Sequence, residues 1–244
     1  MIFIDVYGES AHFKSHFQNS SNISYSYFPR TAAIGFLAAI LRYEHDSYHE
    51  DFADGLIGVS ILNPVFKESK TINWLNYGSN DGIHSQQKIE YIKSVSGDVG
   101  YRIYYCGALE QSIIEAIEQG NGYLLYLGVT ECLAQIDDFG AIEEKQIDAS
   151  DGYLPIETIC PQEIIADLDF ESMGNKYPLY EKTRVVYSFS KGRISNGIVD
   201  IISETSLCAI KAKLTESLEF SISQNNTRKA KLFESKNGKI AVLF

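Results

Sequence analysis

The sequence predicts an α+β fold, and three observations carry that prediction. Short runs of alternating or continuous apolar residues mark strands at 2–7, 56–65, 101–105 and 123–129. Two segments, 31–42 and 109–118, carry helical spacing instead. From about residue 148 onward the pattern turns to strand-like pieces alone. In the first half, residues 1–147, the order is strand, helix, strand, strand, helix, strand, which is the ferredoxin-like order. Residues 148–244 form a smaller β-rich part.

Each element has its own local reason. Met1 to Tyr7 is apolar around Asp5; the run is too short and too acidic for a signal peptide. Tyr7-Gly8-Glu9-Ser10 turns this strand into a loop holding His12. In the first helix Ile34, Leu37, Ala38 and Leu41 recur at i, i+3, i+4 and i+7, with Thr31 as the expected N-cap after Pro29-Arg30. Gly35 inside that helix costs about 1 kcal/mol relative to Ala, so it is expected to mark a close approach to another element. Ile57, Val59 and Ile61 alternate before Pro64 ends their strand, and residues 67–74 are expected to supply a partner strand. Asn76 to Gln87 is polar and turn-rich, an exposed loop or hairpin tip. Leu109 to Glu118 is amphipathic and stops at Gly120-Asn121-Gly122. Beyond Asp148-Ala149-Ser150-Asp151-Gly152, strands are expected at 153–159, 183–189, 198–202, 207–214, 217–223 and 239–244.

A chain of 244 residues suffices for one large domain or two small ones. No stretch reaches the roughly 18–20 apolar residues that span a bilayer, so a cytoplasmic protein without a membrane partner is expected. Cys106, Cys132, Cys160 and Cys208 form no CxxC pair, which argues against a disulfide framework or a zinc site. The net charge of −11 disfavours a nucleic-acid partner taken alone. Its distribution softens that argument. Glu115 to Glu171 holds 14 acidic residues and one basic residue, whereas 174–244 holds 12 basic and 6 acidic. Residues 1–114 hold 8 basic and 12 acidic, five of the acids within Glu44 to Asp54.

One stretch stands apart from this acidic background. His12, Phe13, Lys14 and His16 share a loop, and Arg30 and Thr31 sit at a helix start. A helix N-terminus offers unpaired N–H groups and a positive partial charge, so it can hold a phosphate. Lys14 and Arg30 add charge, and Phe13, Tyr25 and Tyr27 could stack on bases. The same residues also fit a core-packing aromatic loop with two surface cations. His45 and His49 lie among acids and read as a solvated surface rather than a metal site, and Asp137-Asp138 and Glu143-Glu144 read likewise. No nucleotide or dinucleotide fingerprint is present, and no cofactor is expected. Lys176, Lys182, Arg184, Lys191 and Arg193 form one basic cluster, and Arg228, Lys229 and Lys231 another; each fits plain surface better than a site.

The span from Gly8 to Leu41, with His12-Phe13-Lys14 and Phe28-Pro29-Arg30-Thr31 running into Gly35-Phe36-Leu37, closely resembles the start of the fifth CRISPR-associated (Cas) protein family. These proteins are RAMP-superfamily subunits of type I Cascade effectors. Tyr101-Arg102-Ile103-Tyr104 and Tyr126-Leu127-Gly128-Val129-Thr130-Glu131 continue the resemblance and look most like the type I-B branch. Clear similarity covers residues 1 to about 135, with Tyr153-Leu154-Pro155 weakly similar beyond. The resemblance implies a ferredoxin-like (RRM-like) RAMP domain with an inserted β-hairpin thumb at about 67–100. It implies an antiviral, RNA-binding subunit that grips the 5′ handle of CRISPR RNA and caps the backbone of repeated RAMP subunits. Such a subunit also contacts the Cascade large subunit and reaches target DNA through the complex. Carried over by position, His12, Phe13, Lys14, Arg30 and Thr31 fall on the motif near the handle, with Lys88, Lys93 and Arg102 as thumb candidates.

One branch of that family cuts precursor CRISPR RNA with a tyrosine and an adjacent Lys-His pair. This chain has no Lys-His dipeptide, although His84 and Lys88 are near one another. A non-catalytic subunit is therefore expected, with a metal-independent endoribonuclease as the alternative.

Overall fold

The computed structural model describes residues 1–17, 22–75, 84–120, 122–149, 152–170 and 178–244, without the side chains of 74, 75, 84 and 85. The chain is mostly β with few helices. Its first half comprises β1 (Ile2–Gly8), a short ribbon of β2 (Phe13–Lys14) and β3 (Ser24–Tyr25), α1 (Arg30–Ile40), β4 (Leu56–Ile61), β5 (Val65–Leu75), β6 (His84–Ser94), β7 (Val99–Cys106), α2 (Glu110–Glu118) and β8 (Gln135–Ala141). One four-stranded antiparallel sheet runs β4-β7-β1-β8, with α1 and α2 in the crossovers before β4 and before β8.

Strand alternation divides that sheet into two faces. Ile2, Ile4, Val6, Ile57, Val59, Tyr101, Ile103 and Tyr105 join α1 residues Ala33, Ile34 and Leu37 in the main core. On the other face Met1, Phe3 and Tyr104 pack with Phe233, Ala241 and Leu243 from the far end of the chain. Both faces are therefore covered.

Local chemistry explains where the elements start and stop. Helix α1 begins at Arg30, with Pro29 as N-cap and no side-chain cap bond, so Thr31 lies inside the first turn and is not the cap. Arg42 follows the helix in a left-handed conformation, φ 59°, and ends it. In α2 the Glu110 carboxylate accepts the Gly107 N–H at 2.9 Å, and Gly120 at φ 62° stops the helix as expected. A Cβ at Gly35 would meet the Tyr48 hydroxyl at 3.4 Å, an ordinary contact rather than a forced approach.

Two expectations are corrected. Residues 67–74 do not return against 56–61. They belong to β5, whose partner is β6, in a long hairpin paired from Val65–Ser94 out to Leu75–His84. Pro64 separates the two strands, and the tip at 76–83 lies outside the described residues. Residues 123–129 are not a strand; the fourth strand is β8. Leu127 is buried in that loop, yet Leu124 is 70% exposed. Strand β8 is an edge strand carrying Asp137 and Asp138, and charge on an edge discourages further pairing. That charge also hides the strand from hydrophobic periodicity.

The loop before β8 is held against β2 by a tight approach. Gly128 has φ +90°, and a Cβ there would lie 2.1 Å from the His12 carbonyl oxygen. Gly128→Ala is expected to destabilise the fold by more than about 1 kcal/mol, read as a lowered midpoint in thermal or urea unfolding.

The second half adds β9 (Gln146–Ile147), β10 (Leu154–Ile156), β11 (Cys160–Pro161), β12 (Ile165–Leu168), β13 (Tyr180–Val186), β14 (Phe189–Ser190), β15 (Ile194–Ser195), β16 (Ile198–Glu204), β17 (Ile210–Leu214), β18 (Glu219–Ser223), β19 (Asn226–Lys229), β20 (Lys231–Glu234) and β21 (Ile240–Leu243). Six strands form one sheet, β12-β17-β10-β21-β20-β9, and three form another, β11-β16-β13. The halves are stitched along the outer edge of β4. Ile57 and Phe244 exchange backbone hydrogen bonds at 3.2 and 3.0 Å, and Ile159 N–H donates to Val59 at 2.8 Å. All four cysteines are free. Among the described residues no helix is long and apolar enough to cross a membrane.

Candidate nucleic-acid interface

A cleft of about 2290 Å³ opens between α1 with the 43–53 turns on one side and the 184–200 and 222–228 segments on the other. The first turn of α1 forms part of its wall. That turn has no acidic residue and no side-chain cap, and Arg30, Thr31 and Ala32 line the cleft, so the positive end of the helix dipole lies beside it.

Cations from distant parts of the sequence converge there. Lys14, Arg184, Arg193 and Arg228 all line the cleft, as does His16. Arg184 is held by Asp200 through bonds of 2.7 and 3.2 Å, and this bond draws the Asp200 carboxyl below its usual range. Arg193 reaches Asp46 at 3.3 Å and His45 Nε2 at 2.8 Å, spanning the cleft mouth. Lys14 and Arg228 are exposed and have no carboxylate partner among the described residues. Burial lowers the His16 pKa, and the nearby charges of Arg193 and Lys14 lower it further. Phe189 lies 5.5 Å from the His16 ring, and Tyr123 and Tyr126 are exposed on the opposite wall. Cations beside exposed rings and an open helix start suit a single-stranded nucleic acid, whose phosphates and bases need both.

The residues expected from the sequence part company here. Lys14 and Thr31 line the cleft and are accessible. Phe13 is 2% exposed, packed 4.6 Å from Phe28 and 5.5 Å from Tyr101, so it is a core ring and not a stacking one. His12 is 5% exposed, with Nδ1 2.6 Å from the Glu90 carbonyl oxygen, and secures the base of the β5–β6 hairpin. Lys88 is exposed on β6, and Lys93 is paired with Glu9 at 2.8 Å; neither lines the cleft. Arg102 lies on the far face of the first sheet. Its guanidinium donates to both Asp5 carboxylate oxygens at 2.6 and 2.7 Å, so it offers no free fork to a phosphate.

Arg30 is the largest revision. Its side chain is 2% exposed, beneath the cleft surface. Nε donates to the Phe244 carbonyl at 3.0 Å, Nη1 to Tyr187 at 3.3 Å and Nη2 to Gly55 at 2.8 Å. The Tyr187 ring lies 4.4 Å beneath its centre, a cation–π contact. Burial lowers the Arg30 pKa, and the nearby Arg228 charge adds to this. Tyr25 and Tyr27 behave similarly: their hydroxyls bond to the Arg184 carbonyl at 2.7 Å and to Thr183 Oγ1 at 2.5 Å. Much of the cationic, aromatic stretch is thus the pin between the two halves. The cleft cations Arg184, Arg193 and Arg228 look like plain surface in the sequence because nothing local links them to residues 12–31. The second face of the β4-β7-β1-β8 sheet is closed by Phe233, Ala241 and Leu243.

Comparison with solved structures supplies the context for this geometry. One chain of a CRISPR RNA-guided surveillance complex superposes with a TM-score of 0.54 at 12% identity, covering 85% of this chain and 91% of that one. The chain has the fold of a CRISPR surveillance-complex subunit. A chain of a type III-B Cmr-beta complex bound to cognate target RNA and AMPPnP matches with a TM-score of 0.49 at 11% identity, over 87% of this chain and 86% of that one. A crystal structure of a Cas protein matches at 0.43 and 15% identity, over 87% and 95%. No family model and no curated protein matches the sequence.

Proposed function

We propose that this chain is a non-catalytic, RNA-binding subunit of a type I CRISPR surveillance complex, most like the type I-B branch. It holds the 5′ handle of CRISPR RNA and caps the run of repeated RAMP subunits. The observation that carries the reading is the cleft, where an acidic chain gathers Lys14, Arg184, Arg193 and Arg228 around an uncapped helix start. In this reading residues 1–147 are a ferredoxin-like RAMP domain, supported by the strand order β4-β7-β1-β8 with two helical crossovers. The β5–β6 hairpin is the thumb, and 148–244 is the β-rich remainder that completes the cleft. Catalysis is left out because the Lys-His pair of the cutting branch is missing from the sequence.

Lys14 and Arg228 are the cations free to meet phosphates. The double variant Lys14→Ala/Arg228→Ala is expected to keep its fold and to weaken RNA binding at every salt concentration. Each lost phosphate contact on a single strand lowers the slope of log K against log salt by about 0.7, so the slope should fall by about 1.4. The measurement is RNA affinity of the assembled complex across a salt series, and an unchanged slope would remove the cleft as the RNA site. Incubating the purified chain with repeat RNA and EDTA separates the endoribonuclease alternative: site-specific cleavage there would overturn the non-catalytic reading.

A further inference from the structure

We propose that a second, smaller pocket receives the cationic end of an arginine or lysine side chain presented by a partner protein. It encloses about 230 Å³ between Ser60–Leu62, residues 156–159, the 204–210 turn and the segment holding Asn237 and Lys239. It shares no lining residue with the cleft and stands independently of the RNA reading.

Two buried polar groups in this pocket have no hydrogen-bond partner among the described residues. Ser60 is 4% exposed and its hydroxyl lacks a hydrogen-bond partner; Glu204 is 9% exposed and its Oε2 lacks one. The other Glu204 oxygen is fully used. Oε1 accepts from Leu179 N–H at 3.1 Å, from Ser206 N–H at 2.8 Å and from the Ser206 hydroxyl. The carboxylate is thus fixed by one oxygen while the other stays open. An ionised carboxylate oxygen only accepts, so its missing partner is a donor. Leaving such a group buried and unmet costs about 1–3 kcal/mol or more, which an incoming N–H recovers.

Charge and size narrow the donor. Glu157 also lines the pocket, its carboxylate bonded to the Tyr104 hydroxyl at 2.5 Å and to Asn237 Nδ2 at 3.3 Å. Two carboxylates against Lys239 leave the pocket negative, so the donor is a cation. The volume of about 230 Å³ equals that of about eight waters at ~30 Å³ each. It falls below the roughly 300 Å³ at which small-molecule sites begin, and it suits the end of one long side chain. Leu207 at the rim is 46% exposed and held at φ 66°. It offers an apolar surface for the methylene stem that carries such a charge. The chain's excess of 32 acidic over 21 basic residues favours approach of a basic protein surface.

The test titrates the ¹⁵N-labelled chain with N-acetyl-arginine methylamide, and with N-acetyl-norleucine methylamide as the uncharged control. The arginine probe is expected to shift amides in 204–210 saturably, in the millimolar range, and the norleucine probe to leave them unmoved. Glu204→Gln should weaken the arginine probe by about tenfold. Lys239→Met should strengthen it, because a like charge is removed. Ser60→Ala should keep the melting temperature, since its hydroxyl holds nothing in the fold, and still weaken binding; this covers the case in which Glu204→Gln disturbs Leu179 and Ser206. No saturable shift, an equal response to norleucine, or weaker binding in Lys239→Met would overturn the proposal. Agmatine binding on the order of a hundredfold tighter than blocked arginine would mark a pocket for a diffusible amine and overturn the partner assignment.

Discussion

Arg30→Ala is expected to destabilise the protein by about 3–5 kcal/mol, because it empties a large buried volume, strips the Gly55 and Tyr187 carbonyls of the guanidinium donor and leaves the Phe244 carbonyl with the Ile57 N–H alone. The loss falls on the joint between the halves. For a chain of this size the melting temperature should drop by roughly 10 °C. Arg30→Lys is expected to recover little. An ammonium is a single point of donation, whereas the guanidinium fork reaches three directions and also lies flat on Tyr187. On the proposed RNA-binding role, the salt dependence of RNA affinity gives the discriminating readout. Below its melting range the Arg30→Ala protein should keep the wild-type salt slope, since the guanidinium does not reach the cleft surface. A variant that melts with the wild type but loses one phosphate's worth of slope would return Arg30 to the interface.

The second large effect concerns Asp5 and Arg102, paired across β1 and β7. Both are buried, and among the described residues Arg102 Nη1 has no hydrogen-bond partner, so its charge rests on Asp5. Burial alone lowers the Arg102 pKa, but the Asp5 and Tyr104 contacts outweigh it and keep the pKa raised. Asp5→Ala strands the guanidinium in a closed layer between the Phe3 and Tyr104 rings and is expected to cost about 3–5 kcal/mol. Removing both charges should hurt far less, because an apolar pair of similar bulk often replaces a buried ion pair at little cost. Asp5→Leu/Arg102→Met is therefore expected to unfold in urea at a midpoint well above that of Asp5→Ala. A double variant no better than the single one would show that the pair is not what holds this layer.

The first helix and the strands at 2–7 and 101–105 were legible because each turns a strong apolar pattern toward one core, and the strand expected at 56–65 was legible as far as Ile61, where β4 ends. Strand β8 was not, since Asp137 and Asp138 lie on an open edge where no hydrophobic face is required. The apolar 123–129 segment misled for the opposite reason: Leu127 fills the core from a loop, with no strand partner to pair along its length. Lys14 and Thr31, named for their place near a helix start, line the cleft. Arg30 and Arg102 were named for their charge, but an arginine that holds carbonyls or an aspartate looks identical in sequence to one that waits for a phosphate. Arg184, Arg193 and Arg228 share the cleft with Lys14 only through the pairing of β13 with β16, the turn of β14 into β15 and the pairing of β18 with β19. No local pattern encodes that meeting.

The bond from Arg30 to Phe244 spans 214 residues of sequence. During synthesis the first sheet can assemble while the outer edge of β4 still lacks Phe244 and Ile159. The Arg30 guanidinium then has no carbonyl from Tyr187 or Phe244 to meet. At roughly 5–20 residues per second, this interval lasts on the order of ten seconds or more. Throughout it the nascent chain presents an open strand edge and an unsatisfied cation at the site that later becomes the seam. The nascent chain is therefore exposed to mispairing along this edge until Ile159 and Phe244 can pair with it.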